Sequence, residues 1–160
     1  MALSEILSII WITFLPFLEL RASIPYGIVA TELHWSIAFL VAVLANILLG
    51  IVLYFALGKI AVLIKKIPSL NNPYNRYVER TQKKIRPLVE KYGEWALAVF
   101  IGIPLPGTGV YSGALAGYLL GMPFKNFFVS TVAGVLIAGI LVLLVSLTGI
   151  EAFRFFLKPV

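Results

Sequence analysis

An acidic and a basic residue stand two positions apart in an apolar stretch near the N-terminus. Glu19 and Arg21 are the only charged residues of FLELRASIPYGI, residues 17–28. A charge near the centre of a bilayer costs at least about 2.5–3.5 kcal/mol on insertion scales, so each side chain needs a partner or water. A guanidinium binds phosphate through parallel hydrogen bonds, and a carboxyl group can exchange protons. The pair is a candidate substrate and proton site or, if it reaches only the membrane interface, an anchor.

A second stretch, IPLPGTG at residues 103–109, offers main-chain groups instead of charge. Prolines lack amide donors and glycines adopt unusual backbone angles, so neighbouring N–H groups and a hydroxyl are left to bind an anion or water. No lysine follows the glycines and no strand pattern precedes them, so the motif is not a P-loop. A purely structural turn is the alternative. The residues concerned are Pro104, Pro106, Gly107, Thr108 and Gly109.

The remaining polar residues in apolar surroundings are few. Asn46 lies inside a long apolar run, where its amide needs a partner in the helix bundle, and it joins Thr108 as a candidate binding residue. His34 is the only histidine, the chain has no cysteine, and no residues have the spacing of metal ligands. No nucleophile stands beside a base. We expect neither an enzyme nor a bound metal or cofactor.

The elements that position these residues follow from composition. The 160 residues are 61% hydrophobic and 12% charged, with a mean hydropathy of +1.00, whereas soluble domains have about 25% charged residues. Residues 36–58 and 126–150 contain neither charge nor proline, and each run exceeds the roughly 20 residues that cross a bilayer. The chain is predicted to be an integral membrane protein with two transmembrane helices.

The apolar runs before these two helices are too short to cross. Residues 6–18 would extend only about 20 Å as a helix, and residues 24–31 are fewer still, so a turn at Pro25 and Gly27 predicts a re-entrant hairpin. A single kinked span is the alternative. The uncharged residues 95–124 repeat this layout around IPLPGTG.

The repeated layout predicts the fold class: an all-α integral membrane protein with an inverted repeat of two re-entrant helical hairpins, each followed by a transmembrane helix, plus a cytoplasmic amphipathic helix. The single membrane domain divides into residues 1–58, 59–93 and 94–160. Small or polar residues recur every four positions in both long helices, which predicts close helix packing. They are Ala38, Ala42, Asn46 and Gly50 in the first, and Ser130, Gly134 and Ala138 in the second.

The basic residues indicate orientation. Nine of the 13 Lys and Arg residues lie in residues 59–91, so this loop is predicted to be cytoplasmic and the protein to be a multi-pass protein of the cell membrane. Residues 74–92 alternate charged and apolar side chains, typical of an amphipathic helix on the membrane surface, bent at Pro87; a solvated loop is the simpler alternative. The basic residues form one juxtamembrane loop, and membrane topology together with attraction to anionic lipid headgroups explains their clustering. No nucleic acid partner is therefore expected.

ELRASIPYGI (19–28) and GIPLPGTGVYSGALAGYLLGM (102–122) together resemble the small multidrug export protein family of archaea and bacteria. That family is distantly similar to the DedA and VTT superfamily, whose members are thought to have two inverted hairpin and helix units. Several of those members move polyprenyl phosphate or phospholipid carriers between leaflets. The resemblance implies motif roles for Glu19 and Arg21 and for both turns. DedA proteins usually place arginines around the proline of the second hairpin, and here that turn has none.

These observations give three functional hypotheses. The first is a flippase-like transporter of an anionic lipid-linked substrate, polyprenyl phosphate or phospholipid, with protons exchanged at Glu19. The second is an exporter of small amphipathic drugs, and the third is a membrane scaffold that transports nothing. Membrane lipid is an expected partner in each case, and a homodimer is expected to supply further walls for a pathway.

Overall fold

The computed structural model describes residues 2–16, 18–65, 79, 87, 91–93, 95–104 and 108–156, and the side chains of all of these except residues 60–65 and 150–156. Much of the predicted amphipathic helix, and Pro106 and Gly107, therefore lie outside the described residues. Six helices are described, and no strand occurs in this part of the chain. They are α1 (Ala2–Phe14), α2 (Glu19–Val29), α3 (Trp35–Lys65), α4 (Trp95–Gly102), α5 (Val110–Leu119) and α6 (Phe124–Phe156).

The two long helices are the predicted spans. Trp35–Lys59 of α3 and Phe124–Gly149 of α6 are long and apolar enough to cross a membrane. One side of α3 exposes large apolar side chains at intervals of three or four residues, which is the surface that a helix presents to lipid. This stripe consists of Ile37, Leu40, Leu44, Leu48, Val52 and Phe55.

The opposite side of α3 packs antiparallel against α6. A Cβ atom placed on Gly50 would lie 2.9 Å from Thr131 Cγ2, and one on Gly139 would lie 3.1 Å from Val43 Cγ2. The small and polar residues predicted at intervals of four in both helices are all buried, which confirms that they form the packed face. Their size lets the helix backbones approach closely.

Helices α1 and α2 form an antiparallel pair that packs on α3. Thr13 near the end of α1 contacts Ser23, whereas Ile9 contacts Gly27 near the end of α2. The chain reverses at residues 15–18, where the N–H groups of Leu18 and Glu19 donate to the Leu15 carbonyl. The two arms are therefore not one kinked helix.

The prediction that Pro25 and Gly27 form this first turn is wrong, because both lie inside α2. A proline removes one helical donor, a loss that membrane helices tolerate when neighbouring groups compensate. Gly27 is required by packing: its Cβ would lie 2.6 Å from Ala38 Cβ and 3.1 Å from Ile9 Cδ1. A glycine that permits a close helix crossing and one that permits a turn look alike in sequence.

Helices α4 and α5 form the second pair, and α4 packs mainly on α6. A Cβ on Gly113 would meet Ile101, and one on Gly117 would meet Leu97, so these helices are also antiparallel. Pro104 and Gly109 of the predicted second turn lie between the two helices. A break at residues 120–123 then leads into α6.

The two helix pairs open toward opposite ends of α3. Gly27 of α2 packs against Ala38, close to the start of α3. At the other end, the last turn of α5 reaches Gly58 through Tyr118, and the Tyr54 hydroxyl donates to the Met122 carbonyl at 2.7 Å. The turn of each pair therefore points toward the turn of the other.

Candidate functional site

The two turns meet beside Gly50 of α3. A Cβ on Gly50 would lie 3.0 Å from Val110 Cγ1, at the first residue of α5. At 1.5 Å per residue, Gly50 lies about 22 Å along the span from Trp35 and about 14 Å from Lys59. The contact between the two turns is therefore well inside the length of the span.

Glu19, the first residue of α2, caps the N-terminus of α5. Its Oε2 accepts a hydrogen bond from the Val110 N–H at 3.1 Å, and its Oε1 accepts one from the Tyr111 N–H at 3.3 Å. The first N–H groups of a helix have no partner within it and carry the positive end of the helix dipole, roughly half an elementary charge. The buried carboxylate, 4% exposed, thus receives donors and a compensating charge from the second helix pair.

Gly109 makes this close approach possible. Its φ of 113° and ψ of −168° lie in a region that is essentially restricted to glycine. A Cβ at this position would lie 2.5 Å from Glu19 Oε2 and 2.9 Å from Oε1. The glycine predicted to adopt unusual backbone angles does so, and the anion beside it is the carboxylate of this same chain.

Arg21 binds the second turn at a separate point. Its Nη2 donates to the Thr108 carbonyl at 2.9 Å and to Thr108 Oγ1 at 2.8 Å. The Thr108 hydroxyl in turn donates to the Ile103 carbonyl at 2.5 Å, which closes the turn. Glu19, Arg21 and Thr108 are therefore brought together, and each charge of the first pair contacts the second.

The backbone at Glu19 is strained. With a φ of 45°, it is the only residue other than glycine with a positive φ in the part of the chain that the structure describes. Such a conformation costs about 1–3 kcal/mol and persists only where surrounding contacts hold it. Here the two N–H groups of α5 supply those contacts, so the strain at the first turn is offset by binding the second.

Tyr111 is a site residue that sequence reasoning missed. Its hydroxyl donates to the Phe14 carbonyl at 2.5 Å, across 97 residues of sequence, and ties α5 to the end of α1. A tyrosine among apolar residues needs a partner for its hydroxyl, which was the available signal. Nothing in the local sequence identifies that partner.

A cavity of about 330 Å³ lies beside the Glu19 carboxylate. This volume is at the lower end of the range for small-molecule sites. Most of its lining is apolar, and among the described residues that line it only Glu19 is charged. The lining residues are Pro16, Glu19, Leu53, Leu57, Thr108, Tyr111, Ser112 and Leu115.

Asn46 lies apart from this hydrogen-bond network. It is 1% exposed, and its Oδ1 has no hydrogen-bond partner among the described residues. The Oγ1 of Thr131, also 1% exposed, is likewise without a partner there. An unpaired buried polar group typically costs about 1–3 kcal/mol. The predicted partner for the Asn46 amide is therefore not found in this part of the chain.

His34 lies at the surface, as expected for a lone histidine near an interface. Its Nδ1 lies 2.8 Å from the Ser36 hydroxyl, and its ring lies 5.3 Å from the ring of Trp35. Within the described residues, no group of three or more His, Cys, Asp or Glu side chains could hold a metal ion.

Two apolar helices of membrane-spanning length and an apolar outer stripe on α3 are the features of a helical membrane protein, with a buried polar contact between its two shorter helix pairs. A family model described as "Putative small multi-drug export protein" matches residues 19–141, and the chain belongs to this family. The matched region begins at Glu19 and includes Arg21 and the second turn. Comparison with curated proteins and with solved structures found no match.

Proposed function

We propose that this protein is a transporter that exports small amphipathic compounds, with the charged group of the substrate at Glu19 and the apolar body in the adjoining cavity. The observation that carries this proposal is the cavity itself, whose lining is apolar apart from a few polar groups and one carboxylate. A cation would find in Glu19 the one charged group among the described residues of that lining. The family description points to the same class of substrate.

The proposed transporter has two re-entrant hairpins in an inverted arrangement. Support comes from the opposite directions in which the α1–α2 and α4–α5 pairs open along α3, and from the meeting of their turns. Broken helices whose ends meet near the midplane are the usual site in secondary transporters. In this proposal the protein lies in the cell membrane with residues 59–93 on the cytoplasmic side. A second copy of the chain completes the walls of the pathway.

We propose that the Glu19 carboxylate also binds protons. A carboxylate accepts both N–H groups of α5, whereas a protonated carboxyl group is a weaker acceptor and carries no charge for the helix dipole to stabilise. A proton or a substrate cation would therefore compete with the N-terminus of α5 for the same carboxylate. This competition would couple binding to separation of the two turns.

An anionic lipid headgroup is the second candidate substrate, and Arg21 is the observation in its favour. The guanidinium lies beside Thr108 at the second turn, so one arginine reaches a turn that has no arginine of its own. A polyprenyl phosphate or phospholipid would bind Arg21 in place of Thr108. The distant likeness to lipid-moving proteins implied by the sequence agrees with this candidate.

Transport in proteoliposomes tests both candidates. We would measure uptake of the cationic dye ethidium under a pH gradient, and in parallel the leaflet exposure of a polyprenyl phosphate. The variants are Glu19→Gln and Arg21→Ala. Their matched controls are Glu32→Gln and Lys125→Ala, which remove one acidic and one basic charge at exposed positions outside the site.

Cation export predicts that Glu19→Gln reduces dye transport at least about tenfold, equivalent to about 1.4 kcal/mol, while both controls match the native protein. Lipid transport predicts instead that Arg21→Ala abolishes lipid movement. If the folded native protein moves neither substrate and no variant differs from it, a scaffold without transport would replace both proposals.

A further inference from the structure

Two buried oxygens of the spanning helices have no hydrogen-bond partner among the described residues: Asn46 Oδ1 in α3 and Thr131 Oγ1 in α6. Gly50 follows Asn46 by one helical turn on the same face of α3. A Cβ on Gly50 would be 2.9 Å from Thr131 Cγ2, so Thr131 packs directly against that face. Thr131 therefore lies at the packed interface of α3 and α6, and Asn46 lies one helical turn from this contact on the same face of α3.

The contact between Gly50 and Thr131 is one layer of residues away from Glu19. Val110 packs against Gly50, at 3.0 Å from the position of a Cβ, and the Val110 N–H is a donor to the Glu19 carboxylate. Leu53, three residues after Gly50, lines the cavity beside Glu19. The contact between Gly50 and Thr131 is thus less than one turn of α3 from a residue that lines the cavity, and Asn46 is about two turns from it.

Both unpaired atoms can accept a hydrogen bond, and at a dry apolar interface they would be buried without a donor. Leucine and valine have the same branching as asparagine and threonine and would leave no unpaired polar atom at a dry interface. Buried polar groups in native proteins are almost always paired with protein, water or ligand. The two residues therefore indicate a hydrogen-bond donor from outside the described chain.

We propose that Asn46 and Thr131 form an inner site that accepts hydrogen bonds from N–H or O–H groups of the transported molecule, or from water that accompanies it. The inference rests on the proposed function and extends it. Glu19 receives the positive charge, and the inner site receives the donors. Compounds with amino groups would be bound at both positions, and cations without N–H or O–H groups only at the first.

Two cations separate these roles. Ethidium carries amino groups, whereas tetraphenylphosphonium has a positive charge and no hydrogen-bond donor. We expect Thr131→Val, which keeps the shape of the side chain, to reduce ethidium transport about tenfold and to leave tetraphenylphosphonium transport within about twofold of native. Thr148→Val is the control, because Thr148 is an exposed threonine of the same helix. Asn46→Leu should have the same selective effect as Thr131→Val.

Water at the inner site is tested by thiol labelling, which needs no transport. The native chain has no cysteine, so Thr131→Cys introduces a single thiol. Ala138→Cys is the control, since Ala138 is 3% exposed and lies on the same helix. A dry buried thiol reacts only when the structure opens locally, so we expect a small water-soluble methanethiosulfonate to label Thr131→Cys about tenfold faster than Ala138→Cys.

The transport and labelling experiments have outcomes that either support or overturn the inner site. Selective loss of ethidium transport supports a site for donors on the ligand, and fast labelling alone supports a site for water. Equal labelling of the two cysteines, together with equal effects of Thr131→Val on both cations, would overturn the inner site. If the native protein transported neither cation, the proposed function would fail, and the labelling comparison would still decide whether the inner site is hydrated.

Discussion

The two turns that meet in this protein contribute different chemical groups to the contact between them. The first turn, residues 15–18, has no glycine and leads into the first residues of α2, which supply the Glu19 carboxylate, in a strained conformation, and the Arg21 guanidinium. The second turn, residues 103–109, carries no charge and supplies main-chain N–H and C=O groups, a hydroxyl and a glycine with positive φ. Each turn has what the other lacks.

The comparison shows how main-chain groups and a hydroxyl can stabilise buried charges in a membrane protein. Two hydrogen bonds and a helix dipole stabilise the Glu19 carboxylate, and carbonyl and hydroxyl oxygens receive the Arg21 guanidinium. Both sets of partners come from interrupted helices, because continuous helices have already used their main-chain groups. The unpaired backbone of one helix pair is thus the binding partner of the charges of the other.

The largest effect is expected from Gly109→Ala, which alters the second turn at its closest contact with the first. The added methyl group combines a strained φ with a clash against Glu19, and we expect a loss of more than about 3 kcal/mol in the free energy of unfolding in detergent. Gly121→Ala is the control: Gly121 has a φ of 65° with no atom within 4 Å of a Cβ, so about 1 kcal/mol is expected. Equal losses would show that the close contact does not matter.

Removing the carboxylate should have the next largest effect. Glu19→Leu leaves two N–H groups of α5 without acceptors, which predicts a loss of about 2–3 kcal/mol, while Glu19→Gln retains one acceptor and should lose about half as much. Unfolding of both variants is compared with Glu32→Gln, an exposed acid for which a change within about 0.5 kcal/mol is expected. The capping role would be wrong if Glu19→Leu were as stable as this control.

A double-mutant cycle measures the second link between the turns. Arg21→Ala and Thr108→Val remove the two partners of the Arg21 Nη2–Thr108 Oγ1 hydrogen bond and leave the Thr108 carbonyl in place, and we expect a coupling of about 1–2 kcal/mol between them. The control cycle pairs Arg21→Ala with Thr31→Val, because the Thr31 hydroxyl bonds the Gly27 carbonyl at the far end of α2. Coupling near zero in both cycles would contradict the described contact.

The smallest effect is expected where the link is a single neutral hydrogen bond. Tyr111→Phe removes only the hydroxyl that donates to the Phe14 carbonyl, so the loss should be about 0.5–1.5 kcal/mol. Tyr118→Phe, on the same helix, is the matched change and should have less effect. A larger loss for Tyr118→Phe would place the tie between α1 and α5 elsewhere.

The site was more predictable from the sequence than the first turn. The cost of burying charge singles out Glu19 and Arg21 wherever they lie in an apolar chain, and proline with glycine singles out the second turn. Pro25 and Gly27 are misread because local sequence does not show whether a glycine serves a turn or a close contact with Ala38. That distinction is made by a neighbouring helix.

Long-range contacts account for what else the sequence left undetermined. The amide of Asn46 is visible in the sequence, but the lack of a partner for its Oδ1 among the described residues, and the similar position of Thr131, depend on how α3 and α6 cross. Likewise, Tyr111 finds its acceptor 97 residues away. Such pairings are set by tertiary structure and have no local pattern.

The central claim is that the two helix pairs enter from opposite faces and meet inside the membrane. Single cysteines at Glu32, before α3, and at Lys125, at the start of α6, report on it directly, because both side chains are exposed and the native chain has no cysteine. In vesicles of known orientation, an impermeant thiol reagent should label these positions from opposite faces, with Lys59→Cys on the same face as Lys125→Cys. Labelling of Glu32→Cys and Lys125→Cys from one face would mean that residues 95–123 cross the membrane, and would contradict the account.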